Sequence, residues 1–336
     1  MTIYDISKKA GVSIATVSRV LNGSDKVRPS TRQKVMDIIE KYNYTPNAYA
    51  RGMGLGSLHT IGILCADSSD LFLAKAVYYI EQELQANGYE SLLCCTGYDL
   101  DIRKHYLNLI LSKKVDSIIL VGSNFIRTTE EENQYIKDAA AKVPIMVLNA
   151  VFDHPNVYSI ACDDYAAMSD ATTSMLDAGI EDILYLYNAN SYCGIKKLHG
   201  FMDAMETRGI ADYEKLIQFY DGDSQQMNDI ADFVEKAAEV LPAFHGAIAA
   251  DDSIAIGLVK YAQKKGLRIP EDLSIIGYNN SMLTGCCTPD LTSVDNQLEP
   301  LTHQLVQTLL GVLSGEEMPS QTILPAKLIK RGTTLY

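Results

Sequence analysis

The stretch TIYDISKKAGVSIATVSRVLNG, residues 2–23, decides the architecture at the amino-terminal end. Thr2 followed three residues later by Asp5 has the spacing of a capping box, and Ile3, Ile6 and Ala10 then share one face of a short helix. Gly11 breaks that helix. Ser13 can cap a second one whose apolar face is Val17, Val20 and Leu21, closing at Asn22-Gly23, where Gly23 suits a C-terminal cap. Two short helices about a three-residue turn form a helix-turn-helix. The opposite face of the second helix carries Ile14, Ala15, Ser18, Arg19 and Asn22, and its first turns are those that meet base edges in a major groove. Arg19 offers guanine a bidentate fork, and Ile14 and Ala15 offer apolar contact to thymine methyls. Ser13, Thr16, Ser18 and Asn22 suit phosphate oxygens. Taken alone, an exposed Ile14 is also what ordinary protein surfaces carry.

Outward from this stretch, Pro29 opens a third helix with Val35, Ile38, Ile39 and Tyr42 on one face, completing a three-helix core. Pro46 then punctuates the chain before the glycine-loaded segment 47–58, which reads as a linker. Charge divides at the same place. Residues 1–60 hold nine Lys or Arg against four Asp or Glu, whereas the remainder holds 20 against 38, so a basic arm precedes an acidic body. The net charge of −13 therefore does not exclude a nucleic-acid partner.

The runs Tyr4-Asp5-Ile6, Ala10-Gly11-Val12-Ser13 and Thr16 to Asn22, continued by Thr31-Arg32, Tyr42-Asn43-Tyr44 and Pro46-Asn47, resemble the headpiece of the lactose-repressor and purine-repressor (LacI) family. The resemblance adds Thr2, Tyr4, Thr31, Tyr44 and Asn47 to the expected phosphate contacts. It also places Met53 where the family wedges a side chain into the minor groove at the operator centre, a role open to methionine. Gly52 and Gly54 beside it each cost roughly 1 kcal/mol relative to alanine in a helix, so this hinge is expected to be disordered away from DNA.

From residue 60 short apolar runs alternate with helical stretches, the sign of parallel sheets with crossover helices. The expected strands are 61–64, 92–95, 118–121, 145–148, 183–187, 216–219, 247–250 and 275–278. Polar residues follow many of them: Asp67, Ser123-Asn124, Asn149, Asn188, Asp251 and Asn279. Any one could be an ordinary turn residue. Their recurrence favours a ligand cleft at the strand C-termini.

The family resemblance continues through Ile61-Gly62, Gly200-Phe201, Gly266 to Pro270, Ile276 to Asn279 and Thr288 to Thr292. It implies a periplasmic-binding-protein-like α/β body of two Rossmann-like subdomains. The expected division is a headpiece at 1–46, a hinge at 47–58 and a body at 59–336, with an N-subdomain of 59–160 and 291–320 and a C-subdomain of 161–290 and 321–336. The resemblance assigns the effector pocket to Phe72, Asn149, Lys197, Asp251 and Asn279. Several depart from the family pattern: Lys197 replaces its arginine, Asn279 and Asn149 replace aspartates, and Asp251-Asp252 replaces an Asn-Asp pair. Lysine lacks arginine's planar fork, so a ligand gripped that way in relatives is not implied. Phe72 could stack on a sugar face or a base, or belong to helix core.

The seven cysteines form no C-x-x-C pair and read mostly as buried thiols, not a disulfide framework. The six histidines are scattered, and no phosphate-loop, dinucleotide, zinc-protease or nucleophile-elbow motif is present. No catalytic site, metal or cofactor is expected. A secreted solute-binding protein would share the body fold, but the start lacks a signal peptide's apolar core and carries the headpiece instead. The sequence thus predicts a cytoplasmic, homodimeric transcriptional repressor. It would bind palindromic double-stranded operator DNA under control of a small effector, a sugar in preference to a nucleobase, without a membrane partner.

Overall fold

A computed structural model describes residues 1–21, 23–44 and 57–335. The expectations placed on Asn22, Asn47 and Met53, and on most of the hinge, lie outside the described residues.

In the headpiece, α1 (Ile3–Ala10) is capped as its sequence requires: the Asp5 amide donates to Thr2 Oγ1 at 3.3 Å and the Thr2 amide donates to Asp5 Oδ2 at 2.8 Å. Gly11, at φ 63°, ends the helix in the left-handed region and donates its N–H to Ser7 O. After the turn, α2 (Ile14–Leu21) and α3 (Pro29–Lys41) complete the module. Ile6, Ala10, Val17, Val20, Val27 and Val35 are its buried core. Tyr42, expected on the inner face of α3, is instead exposed and accepts a hydrogen bond from Lys9 Nζ at 3.3 Å. Tyr44 takes its place against the core.

The body contains two six-stranded sheets. The first comprises β1 (Thr60–Cys65), β2 (Glu90–Cys95), β3 (Ser117–Val121), β4 (Ile145–Leu148), β5 (Val157–Cys162) and β11 (Gln321–Leu324). Its order is β11-β5-β4-β3-β1-β2, parallel throughout. The second comprises β6 (Ile183–Tyr187), β7 (Ile217–Phe219), β8 (Gly246–Ala249), β9 (Ser274–Tyr278), β10 (Thr292–Asp295) and β12 (Lys327–Ile329). Its order is β12-β10-β9-β8-β6-β7, with only the β10–β12 pair antiparallel.

The crossover helices of the first unit are α4 (Leu71–Ala86), α5 (Leu100–Ser112), α6 (Gln134–Ala140) and the late-arriving α11 (Leu298–Ser314). Those of the second are α7 (Asp164–Asp177), α8 (Tyr192–Thr207), α9 (Met227–Ala238) and α10 (Asp252–Lys265). Central strands are apolar on both faces because helices cover both, as β3 (SIILV, all buried) illustrates. Gly200 lets α8 approach α7: a Cβ there would lie 2.3 Å from Tyr165 O.

Two expected boundaries move. β10, at 292–295, belongs to the second sheet, and β11, at 321–324, belongs to the first, the reverse of the sequence division. Both are four-residue strands; TSVD has one large apolar residue and QTIL alternates exposed and half-buried, so neither carries a core signal. The chain therefore passes between the sheets after Cys162, near Asn296 and between Leu324 and Lys327. The cysteines also depart from expectation: only Cys65, Cys162 and Cys193 are buried, Cys94 and Cys287 are half-buried, and Cys95 and Cys286 are exposed. Cys95 sits at the end of edge strand β2 and Cys286 follows an exposed turn. Among the described residues no helix is long and apolar enough to cross a membrane, and no cluster of metal-ligating side chains occurs.

Candidate nucleic-acid face and ligand cleft

On α2 the buried residues are Val17 and Val20, which turn Ile14, Ala15 and Arg19 outward into solvent. Ile14 is 40 % exposed at the first position of the helix. Ser13 Oγ accepts the Thr16 amide at 3.2 Å and lies 2.9 Å from Thr16 Oγ1, so both hydroxyls sit at the amino-terminal edge of this face. Tyr4 is 68 % exposed. Thr31 is half-buried in the first turn of α3. Tyr44 packs against the core and stays half-buried. Arg32, which sequence reasoning left without a role, donates to Ser24 O at 2.7 Å and clamps the loop that follows α2.

The second feature is a cleft of about 990 Å³ between the two sheets. In each sheet the strand order reverses, at β1/β3 and at β6/β8, and loops leaving the C-terminal ends of those strands form the cleft walls. All five residues assigned to the pocket from sequence line it.

Asn149 leaves β4 at φ 66° and is almost fully buried, with Oδ1 unpartnered. Its carbonyl accepts the Cys193 thiol at 2.8 Å, and burial pushes that thiol well above its usual pKa. Lys197, also buried, donates to Ala250 O at 3.0 Å and stands 3.6 Å from the centre of the Tyr278 ring. Tyr278 in turn donates to Asp164 Oδ1 at 2.5 Å. Asp251 caps α10 by accepting the Ser253 amide at 2.7 Å, and its other oxygen accepts Asn279 Nδ2 at 2.9 Å. Asn279 Oδ1 accepts Asn296 Nδ2 at 3.0 Å, so the cleft wall connects directly to a crossing between the subdomains. Phe72 does both things considered for it: it packs on the first-sheet core and its ring borders the cleft.

Asp252, immediately beneath this wall, accepts Ser293 Oγ and the Ser281 amide, each at 2.6 Å. Burial pushes its carboxyl up to about 6 in spite of those donors.

Three bonds join the walls: Ser123 Oγ to Ser191 Oγ at 2.9 Å, Gln225 Nε2 to Ser69 Oγ at 3.0 Å, and the Cys193 thiol to Asn149 O. Sequence reasoning missed these, and it missed Asp70, Tyr98 and Arg127 in the lining. The only available signal was position shortly after a strand end, which marks many loop residues that do nothing.

The pattern of the bacterial regulatory proteins of the lacI family matches residues 2–47, and that of a periplasmic binding protein-like domain matches residues 172–334. An HTH-type transcriptional regulator of Lachnoclostridium phytofermentans is 46 % identical over 336 residues, all of both chains. This chain belongs to the lacI family of bacterial regulatory proteins. Catabolite control protein A of Priestia megaterium is 32 % identical over 99 % of each chain. The fold of this LacI-family chain matches the lac repressor dimer bound to operator and the anti-inducer ONPF, with a TM-score of 0.87, 23 % identity and coverage of 100 % and 99 %. A CelR–cellobiose complex matches with a TM-score of 0.71, 22 % identity and 99 % coverage of both chains. The LacI-family chain is thus a DNA-binding transcriptional regulator with a ligand-binding domain, and its relatives are regulators, not enzymes.

Proposed function

We propose that the protein is a cytoplasmic homodimeric repressor that reads a palindromic operator and is released from it, or recruited to it, by a sugar bound between the subdomains. The observation that carries this reading is the convergence of all five family pocket positions on one cleft in a chain that also presents Ile14, Ala15 and Arg19 outward from a helix-turn-helix. Within residues 1–46, Arg19, Ile14 and Ala15 read bases. Thr2, Tyr4, Ser13, Thr16, Ser18, Asn22 and Thr31 hold phosphates, with Tyr44 and Asn47 at the end of the module and Met53 at the operator centre.

A dimer accounts for apolar surface that a monomer leaves open. Edge strand β2 exposes Leu92 (39 %) and Leu93 (42 %), and α4 beside it exposes Tyr78 (51 %). The neighbouring lac repressor is itself a dimer on its operator.

In the cleft, Asn149 Oδ1 is an acceptor awaiting a donor, Asp251 and Asn279 supply an acceptor-rich rim, and Phe72 offers an aromatic edge. Lys197 acts as a buried point charge and not as a fork. A sugar suits this mixture of acceptors and one aromatic, and cellobiose is the ligand named for one neighbour. The test is selection of bound DNA from a random pool, with and without a panel of sugars. A palindromic consensus whose recovery changes with one sugar supports the reading. A consensus with a single half-site, or recovery indifferent to every ligand, removes the dimer or the effector respectively.

A further inference from the structure

The cleft wall beyond β3 holds two guanidinium groups that no carboxylate in the described residues pairs within 4 Å. Arg103 is wholly buried on α5; its Nε donates to Gly97 O at 3.2 Å, its Nη1 donates to Asn124 O, and its Nη2 has no geometric hydrogen-bond partner among the described residues. Phe125 covers it, with the ring centre 4.9 Å from Cζ. Arg127 donates from Nη2 to Tyr98 O at 3.2 Å, while its Nε is buried and unpartnered. Its backbone is fixed by Asn133, whose Oδ1 accepts the Arg127 amide at 2.8 Å and whose Nδ2 donates to Arg127 O at 2.8 Å. Both groups therefore converge on the turn at Gly97-Tyr98, and Tyr98, Asn124 and Arg127 line the cleft.

Two charged donor groups concentrated on one wall without a carboxylate in contact are costly, because a buried guanidinium normally satisfies its fork on a carboxylate or a phosphate. The carboxylates of the cleft do not serve. Burial, and then Asp251 and Asp67, push the Asp70 carboxyl up, whereas burial pushes the Arg103 guanidinium down with Arg127 adding to the effect. Tyr135, Tyr98 and Asp99 oppose that fall, but among the described residues no carboxylate contacts either guanidinium. Lys197 is the more committed cation, since one of its donors is taken by Ala250 O and its Nζ stands over the Tyr278 ring.

We propose that the effector is an acidic saccharide whose anionic group is held by Arg127, with Arg103 reinforcing the positive field behind it, while its hydroxyls donate to Asp70, Asp251 and Asn149. This rests on the reading of the cleft as the effector site. Carboxylate and phosphoryl groups share the required chemistry, so a sugar acid and a sugar phosphate are both candidates.

The experiment is thermal denaturation and calorimetric titration of the full chain. Its ligands are cellobiose and methyl glucoside as neutral sugars, gluconate and galacturonate as carboxylates, glucose 6-phosphate as a phosphate, and inorganic phosphate alone. An acidic sugar should raise the melting temperature where neutral sugars at equal concentration do not. Its affinity should fall at least tenfold in Arg127→Gln and recover in part in Arg127→Lys, and the two acidic arms identify the anion. Arg127 is half-exposed, so the unliganded melting temperature of each variant checks that it still folds. A neutral sugar that binds Arg127→Gln as well as the parent but fails to bind Asn149→Ala would overturn the anion subsite and leave the cleft as effector site. Acidic binding indifferent to Arg127→Gln overturns it equally. Stabilisation by no member of the panel counts against both the subsite and the cleft.

Discussion

The headpiece draws its core from Ile6 to Val35, six buried side chains within a single short stretch, whereas the cleft is assembled from loops between Asp67 and Asn279 that rest on four separate clusters of buried residues. The difference has energetic consequences. A domain of about 45 residues buries little apolar area and depends on every buried side chain, while the body can absorb a local change without losing its fold. In the headpiece the functional side chains sit one helix face away from the core that orients them. In the cleft they come from strand ends and helix starts, some of them, such as Asn149 and Lys197, buried themselves. Mutations should therefore separate by region: stability governs the headpiece and local chemistry governs the cleft.

The largest effect is expected at Ile6, which is completely buried between the three headpiece helices. Ile6→Ala should cost about 2–5 kcal/mol, enough to unfold a small module while the body persists. Calorimetry should show the body transition unmoved and gel shifts should show operator binding abolished. A matching fall in the body's melting temperature would mean that the two regions are not energetically separate.

Next is Asp252, whose buried carboxyl titrates near 6 in the folded chain against a usual 3.8. Between these values the folded state binds more protons than the unfolded one, so stability falls as pH rises through that window, by about 3 kcal/mol in all. Asp252→Asn should flatten the dependence of stability on pH between about 4 and 6, measured by urea denaturation at several pH values. An unaltered pH slope in the variant would show that Ser293 and Ser281 hold the carboxylate charged and that burial does not dominate.

The same contrast explains what the sequence disclosed. Capping box, turn glycine and apolar spacing are all local, so α1 and α2 were legible residue by residue, and Tyr42 failed only because two tyrosines competed for one inward position. In the body the eight expected strands are β1–β4 and β6–β9, whereas β5, β10, β11 and β12 were not legible, because their apolar residues are interrupted by polar ones and what places them is pairing with distant partners, such as Thr292 with Ile276 and Gln321 with Ser159. The five cleft residues were found through family positions, and their convergence could not have been derived from spacing. Arg127 and Arg103 carried no pattern at all, since being paired or unpaired is a property of the folded surroundings.

A smaller effect should come from Arg19. It is exposed and supports nothing in the core, so Arg19→Ala should leave both thermal transitions unchanged. Loss of a bidentate base contact should weaken binding by about 1–3 kcal/mol and relax preference at one position of the half-site. Equal discrimination between the operator and a site mutated at that base would remove Arg19 from base readout.

The smallest effect sharpens the comparison most, because Thr2 stands where stability and DNA contact overlap. Its hydroxyl accepts the Asp5 amide and donates to Asp5 Oδ2 at 2.9 Å, so in the free protein it is committed to the helix cap. Thr2→Ala should cost about 1 kcal/mol of headpiece stability through the lost cap. Thr2→Ser should restore that, since serine caps equally well. If Thr2 also holds a phosphate, the alanine variant should bind every DNA sequence more weakly and lower the salt dependence by about one contact, with serine again restoring it. If the hydroxyl is only a cap, the salt slope should stay fixed at temperatures where the headpiece remains folded. Measuring the slope well below the melting temperature separates the two, because loss of a cap then changes a population that is already nearly all folded, whereas loss of a phosphate contact changes the complex itself.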